Sequence, residues 1–164
     1  MLKERFEELE AKLLSEIGSH YAERLISVVV FGSAARKTQT FESDLDILIV
    51  ADGLPQGRGK RIREFELIEE KMEPFLKSLR NKDGINTYLS TLIKSPEEVK
   101  KGSPLFLDMV EDAKILFNRN GFFMGMLERL RERLKKLGAK RIWRGNAWYW
   151  DLKPDYKPGD VIEL

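Results

Sequence analysis

The chain has 164 residues, enough for one domain with its own hydrophobic core. Hydrophobic residues make up 42% and charged residues 34%, a balance typical of globular proteins and unlike that of disordered or membrane-spanning chains. The net charge of +2 is too small to indicate a nucleic-acid partner by itself. The absence of Cys excludes disulfides, thiol catalysis and Cys-ligated zinc, and the single His20 argues against a His-based metal cluster or a Ser-His triad.

Residues 1–18 carry charges throughout, which is not the pattern of a secretory signal peptide. No apolar run approaches the roughly 18 residues that a membrane-spanning helix needs. We therefore expect a cytoplasmic protein that has no membrane partner.

The first part of the chain predicts a helix followed by two strands. Apolar residues at helical spacing indicate a helix over residues 3–18 that ends at Gly18. Two β-branched, apolar runs, Leu25–Phe31 and Asp46–Val50, predict buried strands. A short helical turn and a polar loop, residues 34–40, connect them.

The remainder of the chain alternates helices with short strands. Periodicity and turn residues predict the following elements, in chain order: a helix over 59–79, a turn over 81–84, a strand over 85–93, a helix starting at Ser95, a helix over 103–112, a strand over 114–117 and a helix over 122–137. A tail over 141–164 holds all three Trp residues and two of the six Pro residues, and we expect it to be irregular.

This order of elements predicts the fold class. The first two strands are joined without a full crossover helix, which favours a mixed or antiparallel β-sheet backed by helices. No internal repeat or low-complexity linker divides the chain. We expect a single α/β (α+β) domain spanning residues 1–164.

Two short motifs at the facing ends of the first two strands indicate chemistry. Gly32 allows close approach of a ligand to the backbone, and Ser33 begins a turn whose N–H groups can hold a phosphate. Asp44 and Asp46 are two residues apart on a strand, so both carboxylates lie on the same face. They repel each other unless a cation lies between them. Hard oxygen ligands of this kind suit Mg²⁺ that is shared with substrate phosphates. Each motif alone is common in ordinary turns and strand ends, but their combination favours a site for a metal and a nucleotide.

Two motifs of the chain are separated by ten residues between Ser33 and Asp44: Gly32-Ser33-x-x-Arg36 and Ser43-Asp44-x-Asp46. This pattern resembles the signature of the minimal nucleotidyltransferases of the DNA polymerase beta superfamily, including the short antitoxin-like members. The resemblance is sharp over residues 26–50. It implies a polymerase beta palm-like fold, a nucleoside triphosphate substrate, most plainly ATP, and Mg²⁺ or Mn²⁺ as cofactor.

The resemblance also assigns residues to roles. It makes Asp44 and Asp46 the catalytic metal ligands, and it places four residues at the nucleotide: Gly32, Ser33, Arg36 and Ser43. Arg36 would orient or neutralise phosphate, although a surface Arg on a helix is also compatible with a structural role. Ser43 fits a residue that fixes the loop better than one that touches the substrate.

The family pattern usually includes a third carboxylate on a neighbouring strand, where it serves as metal ligand and general base. The strand predicted over residues 85–93 contains no Asp or Glu. By alternation, Asn86, Tyr88 and Ser90 share one face and could offer neutral groups instead. Because general acid–base help contributes about 10²–10⁴-fold in rate, nucleotide binding is a safer expectation than turnover.

Three functions follow from these observations. The first is transfer of a nucleoside monophosphate, AMP from ATP, to a hydroxyl of a protein or other acceptor; the resemblance adds a HEPN-type protein partner to which the chain acts as antitoxin. The second is a catalytically weak or inactive nucleotide-binding or antitoxin module. The third is an RNA-binding adaptor that uses the basic run Arg58–Arg63 and the Trp-rich tail. Trp residues at irregular spacing are more often core or subunit-interface residues, so the sequence leaves a homo-oligomer open as well.

Overall fold

The computed structural model describes residues 1–164, which form six α-helices and six β-strands. The helices are α1 (Leu2–Tyr21), α2 (Gly32–Arg36), α3 (Arg58–Ser78), α4 (Pro96–Lys101), α5 (Leu105–Asp112) and α6 (Phe122–Leu137). The strands are β1 (Leu25–Phe31), β2 (Leu45–Ala51), β3 (Leu89–Lys94), β4 (Lys114–Asn118), β5 (Lys140–Arg144) and β6 (Ala147–Asp151). None of the helices combines the length and the apolar character that crossing a bilayer requires.

Four strands form one mixed sheet in the order β3-β2-β1-β4. Strand β1 pairs antiparallel with both β2 and β4, whereas β2 pairs parallel with β3. The parallel pair is possible because α3 supplies the crossover that a parallel connection needs. The mixed sheet backed by helices that the sequence predicts is confirmed.

The sheet is covered on both faces, because alternate residues of its central strands pack in opposite directions. Val28, Val30, Ile47 and Ile49 pack with α1 and α3 in one apolar cluster. On the other face, the remaining central positions pack with α5 and α6 in a second cluster: Val29, Leu48 and Val50. Asp46 has the same parity as Leu48 and therefore lies on the α5–α6 face.

Two predicted elements end at different places. Helix α1 continues past Gly18 to Tyr21, since Tyr21 is only 1% exposed and extends the apolar stripe by one more turn. The strand predicted over 85–93 pairs only from Leu89 to Lys94. Residues 85–88 alternate between buried and exposed but lie against a loop, where the Asn86 N–H donates to the Phe41 carbonyl at 2.7 Å.

The expectation of an irregular tail over 141–164 is wrong as far as residue 151. Strands β5 and β6 form an antiparallel hairpin whose register pairs Trp143 with Trp148. The two-residue loop Gly145-Asn146 connects the strands, with Gly145 at φ 62. A Gly-Asn pair between two runs of aromatic residues is a sequence signal for a hairpin, so this element could have been predicted. Residues 152–164 contain turns but no further strand or helix.

Candidate functional site

The first part of the site is the junction between β1 and α2. Phe31 ends β1 opposite Asp46 of β2, and Gly32 then turns the chain at φ 70 into α2. A Cβ built on Gly32 would overlap the Asp46 carboxylate. Glycine is therefore required at position 32 both for its left-handed backbone and for the room it leaves beside Asp46.

The second part is the carboxylate pair at the start of β2. Asp46 is half-buried in the strand, whereas Asp44 is exposed just before it. Burial raises the pKa of the Asp46 carboxyl; the Ser90 hydroxyl opposes that rise, the negative charge of Asp44 adds to it, and the positive charge of Arg36 opposes it. A divalent cation would offset both the desolvation and the repulsion, so the donor set fits Mg²⁺ or Mn²⁺.

Ser90 lies beside Asp46 on β3, the neighbouring strand for which the resemblance implies a third carboxylate. In the parallel β2–β3 pair, Ser90 is the register partner of Asp46. The other two candidates lie before β3 begins: the Asn86 side-chain amide donates to Glu42 Oε1 at 2.9 Å, and Tyr88 is 67% exposed. Of the three, the structure brings only Ser90 next to Asp46.

The loop between α2 and β2 is fixed by its own polar residues. The Ser43 hydroxyl accepts a hydrogen bond from the Thr40 N–H at 2.8 Å and lies 3.2 Å from the Thr40 hydroxyl. The Ser33 carbonyl accepts the Thr38 N–H at 2.9 Å. Ser43 thus holds the loop that presents Asp44.

A cavity of about 190 Å³ joins these residues to α5. Its lining includes Gly32, Arg36 and Asp46 from the motifs, together with Asp108 and Asp112 from α5. Asp108 and Asp112 are one helical turn apart and so share a face of α5. Sequence reasoning missed both acids, although two carboxylates at this spacing in a short apolar helix were a visible signal.

The hairpin is anchored on the same two acids. The indole N–H groups of Trp148 and Trp150 both donate to Asp108 Oδ1, at 2.6 Å and 3.0 Å. Arg141 donates to Asp112 Oδ2 at 2.7 Å. The Arg36 guanidinium lies 4.8 Å from the centre of the Trp148 ring. The hairpin therefore reaches the edge of the candidate site and contacts one of its predicted residues.

Part of the basic run and of the tail that suggested an RNA adaptor is engaged within the protein. Arg61, in the basic run at the start of α3, donates to the Pro55 carbonyl at 2.9 Å and pairs with Glu98 at 2.7 Å. Trp148 and Trp150 are half-buried and hydrogen-bonded, and only Trp143 is 50% exposed. Trp148 and Trp150 thus anchor the hairpin on α5, whereas Trp143, Tyr149 and Tyr156 of the tail stay exposed.

The assembled site can hold a metal and an anion side by side. No group of three or more His, Asp or Glu side chains is gathered for a metal ion. Asp44 and Asp46 would therefore supply two protein ligands, and substrate phosphates would complete the shell of a hard cation. Arg36 lines the same cavity as Asp46, and its positive charge acts to lower the pKa of that carboxyl.

Comparisons with known proteins show the family of the chain. The family model of the nucleotidyltransferase domain matches residues 10–115. The chain is 28% identical over 139 residues, covering 84% of this chain and 88% of the relative, to the Methanocaldococcus jannaschii protein named "Putative protein adenylyltransferase MJ1305". A chain of a toxin–antitoxin crystallised with AMP-PNP is 16% identical, with a TM-score of 0.45 over 79% of this chain and 92% of that chain. A chain of the toxin–antitoxin MntA–HepT is 12% identical, with a TM-score of 0.43 over 80% and 92%. Because the matched residues 10–115 make up well over half of its length and contain both motifs, the chain belongs to the nucleotidyltransferase domain family.

Proposed function

We propose that the protein transfers AMP from ATP to a hydroxyl of a protein acceptor, with Mg²⁺ or Mn²⁺ bound at Asp44 and Asp46. The observation that carries this proposal is the close approach of the Gly32 turn to the Asp46 carboxylate. It supports a site in which the turn would bind phosphate beside a metal held by the carboxylates. The name of the M. jannaschii relative supports an adenylyl group and a protein acceptor.

In this reaction the acceptor oxygen attacks the α-phosphorus of ATP. A new phosphorus–oxygen bond forms, the bond between the α- and β-phosphates breaks, pyrophosphate leaves, and the hydroxyl proton passes to a base or to water. A bound divalent cation would neutralise charge on the phosphates and position them for in-line attack. Gly32 and Ser33 contact the triphosphate through backbone N–H groups, and Arg36 binds phosphate oxygens.

Calorimetric titration of Mg²⁺-ATP tests the binding step without knowledge of the acceptor. We expect micromolar affinity, about −8 kcal/mol, in the wild-type protein. Asp44→Asn and Asp46→Asn should each weaken binding by at least about tenfold, since each removes one of two metal ligands. Asp52→Asn is the matched control, because Asp52 is an exposed acid that follows the other end of β2. Absence of Mg²⁺-ATP binding in the wild type would refute the proposal.

Labelled ATP distinguishes the transferred group. Label at the α-phosphate should enter an acceptor protein, and label at the γ-phosphate should not, because AMP and not phosphate is transferred. The acceptor panel includes a HEPN-type protein, the partner class that the motif resemblance implies and that we propose for an antitoxin role. Incorporation of γ-label would identify phosphoryl transfer instead.

A second candidate function is a nucleotide-binding module with little or no turnover. Ser90 favours it, because a hydroxyl at the register position of Asp46 supplies neither a third anionic ligand nor a general base at neutral pH. Under this alternative Mg²⁺-ATP binds and depends on Asp46, yet no α-label reaches any acceptor.

A further inference from the structure

Arg36 differs from the other partly buried arginines in how it is held. Arg24 pairs with Glu64, Arg61 with Glu98 and Arg141 with Asp112. Arg36 has no carboxylate partner; its guanidinium instead stacks over the Trp148 ring at 4.8 Å. Stacking on an aromatic face orients a guanidinium without using its N–H groups, so all five donors stay available for an anion.

Trp148 is held in place by a hydrogen bond to helix α5. Its indole N–H donates to Asp108 Oδ1 at 2.6 Å, and the Trp150 indole N–H donates to the same oxygen at 3.0 Å. Asp108 lies on α5 and lines the cavity that Arg36 and Asp46 share. A continuous series of contacts therefore runs from α5 through Trp148 to Arg36.

We propose that Trp148 is a positioning residue for nucleotide binding, which holds the Arg36 guanidinium beside the Gly32–Asp46 site with its donors free for phosphate oxygens. The hairpin lies beyond residue 115, where the family match ends, so this function belongs to the part of the chain outside the matched domain. The inference rests on the proposed function, because it needs a phosphate-bearing ligand at that site.

The test is a double-mutant cycle on Mg²⁺-ATP affinity. Trp148→Leu keeps an apolar side chain but removes the aromatic face, and should weaken binding about 2- to 30-fold, the range that a lost cation–π contact allows. Trp148→Phe keeps an aromatic face for Arg36 but lacks the N–H that donates to Asp108, so it should restore part of the affinity. If Trp148 acts through Arg36, then Trp148→Leu added to Arg36→Ala should cause no further loss.

Tyr149→Ala is the matched control, because Tyr149 is 45% exposed on the same strand and its ring contacts Arg144 rather than Arg36. It should bind Mg²⁺-ATP like the wild type. Thermal midpoints measured for every variant identify loss of fold, and Trp148→Met replaces Trp148→Leu in the cycle if the latter does not fold.

The outcomes separate this inference from the proposed function. If the wild type does not bind Mg²⁺-ATP, both the proposed function and the positioning role of Trp148 are refuted. If the wild type binds and Trp148→Leu binds equally well, or if its loss persists undiminished in the Arg36→Ala background, the positioning role is overturned and the proposed function stands. Non-additive loss with rescue by Trp148→Phe supports the role of Trp148.

Discussion

Gly32 and Asp46 approach so closely across the β1–β2 pair that a side chain on residue 32 would occupy the space of the Asp46 carboxylate. Gly32→Ala should therefore lower stability by about 1–3 kcal/mol through its left-handed backbone alone. It should also displace Asp46 and abolish Mg²⁺-ATP binding. Chemical denaturation and calorimetry measure the two effects separately.

Gly84→Ala is the matched control for this substitution. Gly84 has nearly the same backbone, φ 68 against φ 70 at Gly32, but its Cβ would meet no atom within 4 Å. We expect the same backbone cost and full retention of nucleotide binding. Equal binding by both variants would show that the contact with Asp46 has no functional consequence.

Ser90→Asp should place a third carboxylate next to Asp46, its register partner. Without Mg²⁺ this variant should be less stable than the wild type, because three like charges meet at one edge of the sheet. With Mg²⁺ the metal should bind more tightly, and transfer of AMP should rise by up to about 10²–10⁴-fold if a general base is what the site lacks.

Ser90→Asn separates charge from size in that experiment, since Asn has nearly the shape of Asp but no charge. It should gain neither metal affinity nor rate. A Ser90→Asp variant that resembles Ser90→Asn in both respects would argue that the third ligand is absent for another reason.

Glu98 should make stability depend on pH. Burial raises its pKa, but hydrogen bonds from Arg61 and from Ser95 outweigh burial and leave the pKa below its ordinary value of 4.5. The ionised form is thus favoured in the folded state, so its contribution is present above pH 4.5 and is lost as the pH falls through the lower folded value. Since the side chain is 37% exposed, solvent screening limits the effect to about 0.5–1 kcal/mol.

Glu98→Gln, compared with the wild type by denaturation at neutral and acidic pH, measures this contribution. The stability difference should be largest near neutrality and shrink below about pH 4. Glu97→Gln controls for the neighbouring acid in the same first turn of α4, which lacks the Arg61 contact. A difference that does not change with pH would exclude a titrating Glu98.

Glu10 is the one buried acid of the core, 5% exposed, and its carboxylate accepts a hydrogen bond from Lys114 at 2.6 Å. Lys114→Met leaves that charge without its partner and should destabilise the fold by about 1–3 kcal/mol. The value is at the lower end for buried pairs because the Lys114 side chain is 46% exposed. Glu10→Leu combined with Lys114→Met should recover most of the loss.

The exposed pair of Lys3 and Glu7 provides the comparison, with side chains 65% and 52% exposed. Lys3→Met should cost less than about 0.5 kcal/mol. Similar losses for the two lysines would mean that burial of Glu10 contributes nothing to the strength of its pair.

The order of elements and the two motifs could be predicted from the sequence because both are local. A buried strand such as Leu25–Phe31 reveals itself by its own β-branched residues, and the spacing from Ser33 to Asp44 is a property of the chain alone. The limits of the third strand could not be predicted in this way. Asn86 and Tyr88 alternate like strand residues, and only pairing with a neighbour decides where the strand begins.

The composition of the candidate site shows the same division. Gly32 and Asp46 are indicated by the local pattern and Arg36 by the family resemblance, and all three line one cavity. Asp108 and Trp148 lie more than 60 residues further along the chain, and no periodicity connects them to the motifs. Their approach depends on the packing of α5 against the sheet and of the hairpin against α5.

The sequence by itself determined the family signature, a mixed or antiparallel sheet backed by helices, and the absence of an acidic residue on the third strand. Local spacing and alternation carry that information, because each depends on residues that are neighbours in the chain. Only the tertiary structure decided that Ser90 stands beside Asp46 and that Trp148 stacks on Arg36. Both relationships are set by strand register and by the packing of distant elements, whose free energies are sums over many contacts that no short stretch of sequence contains.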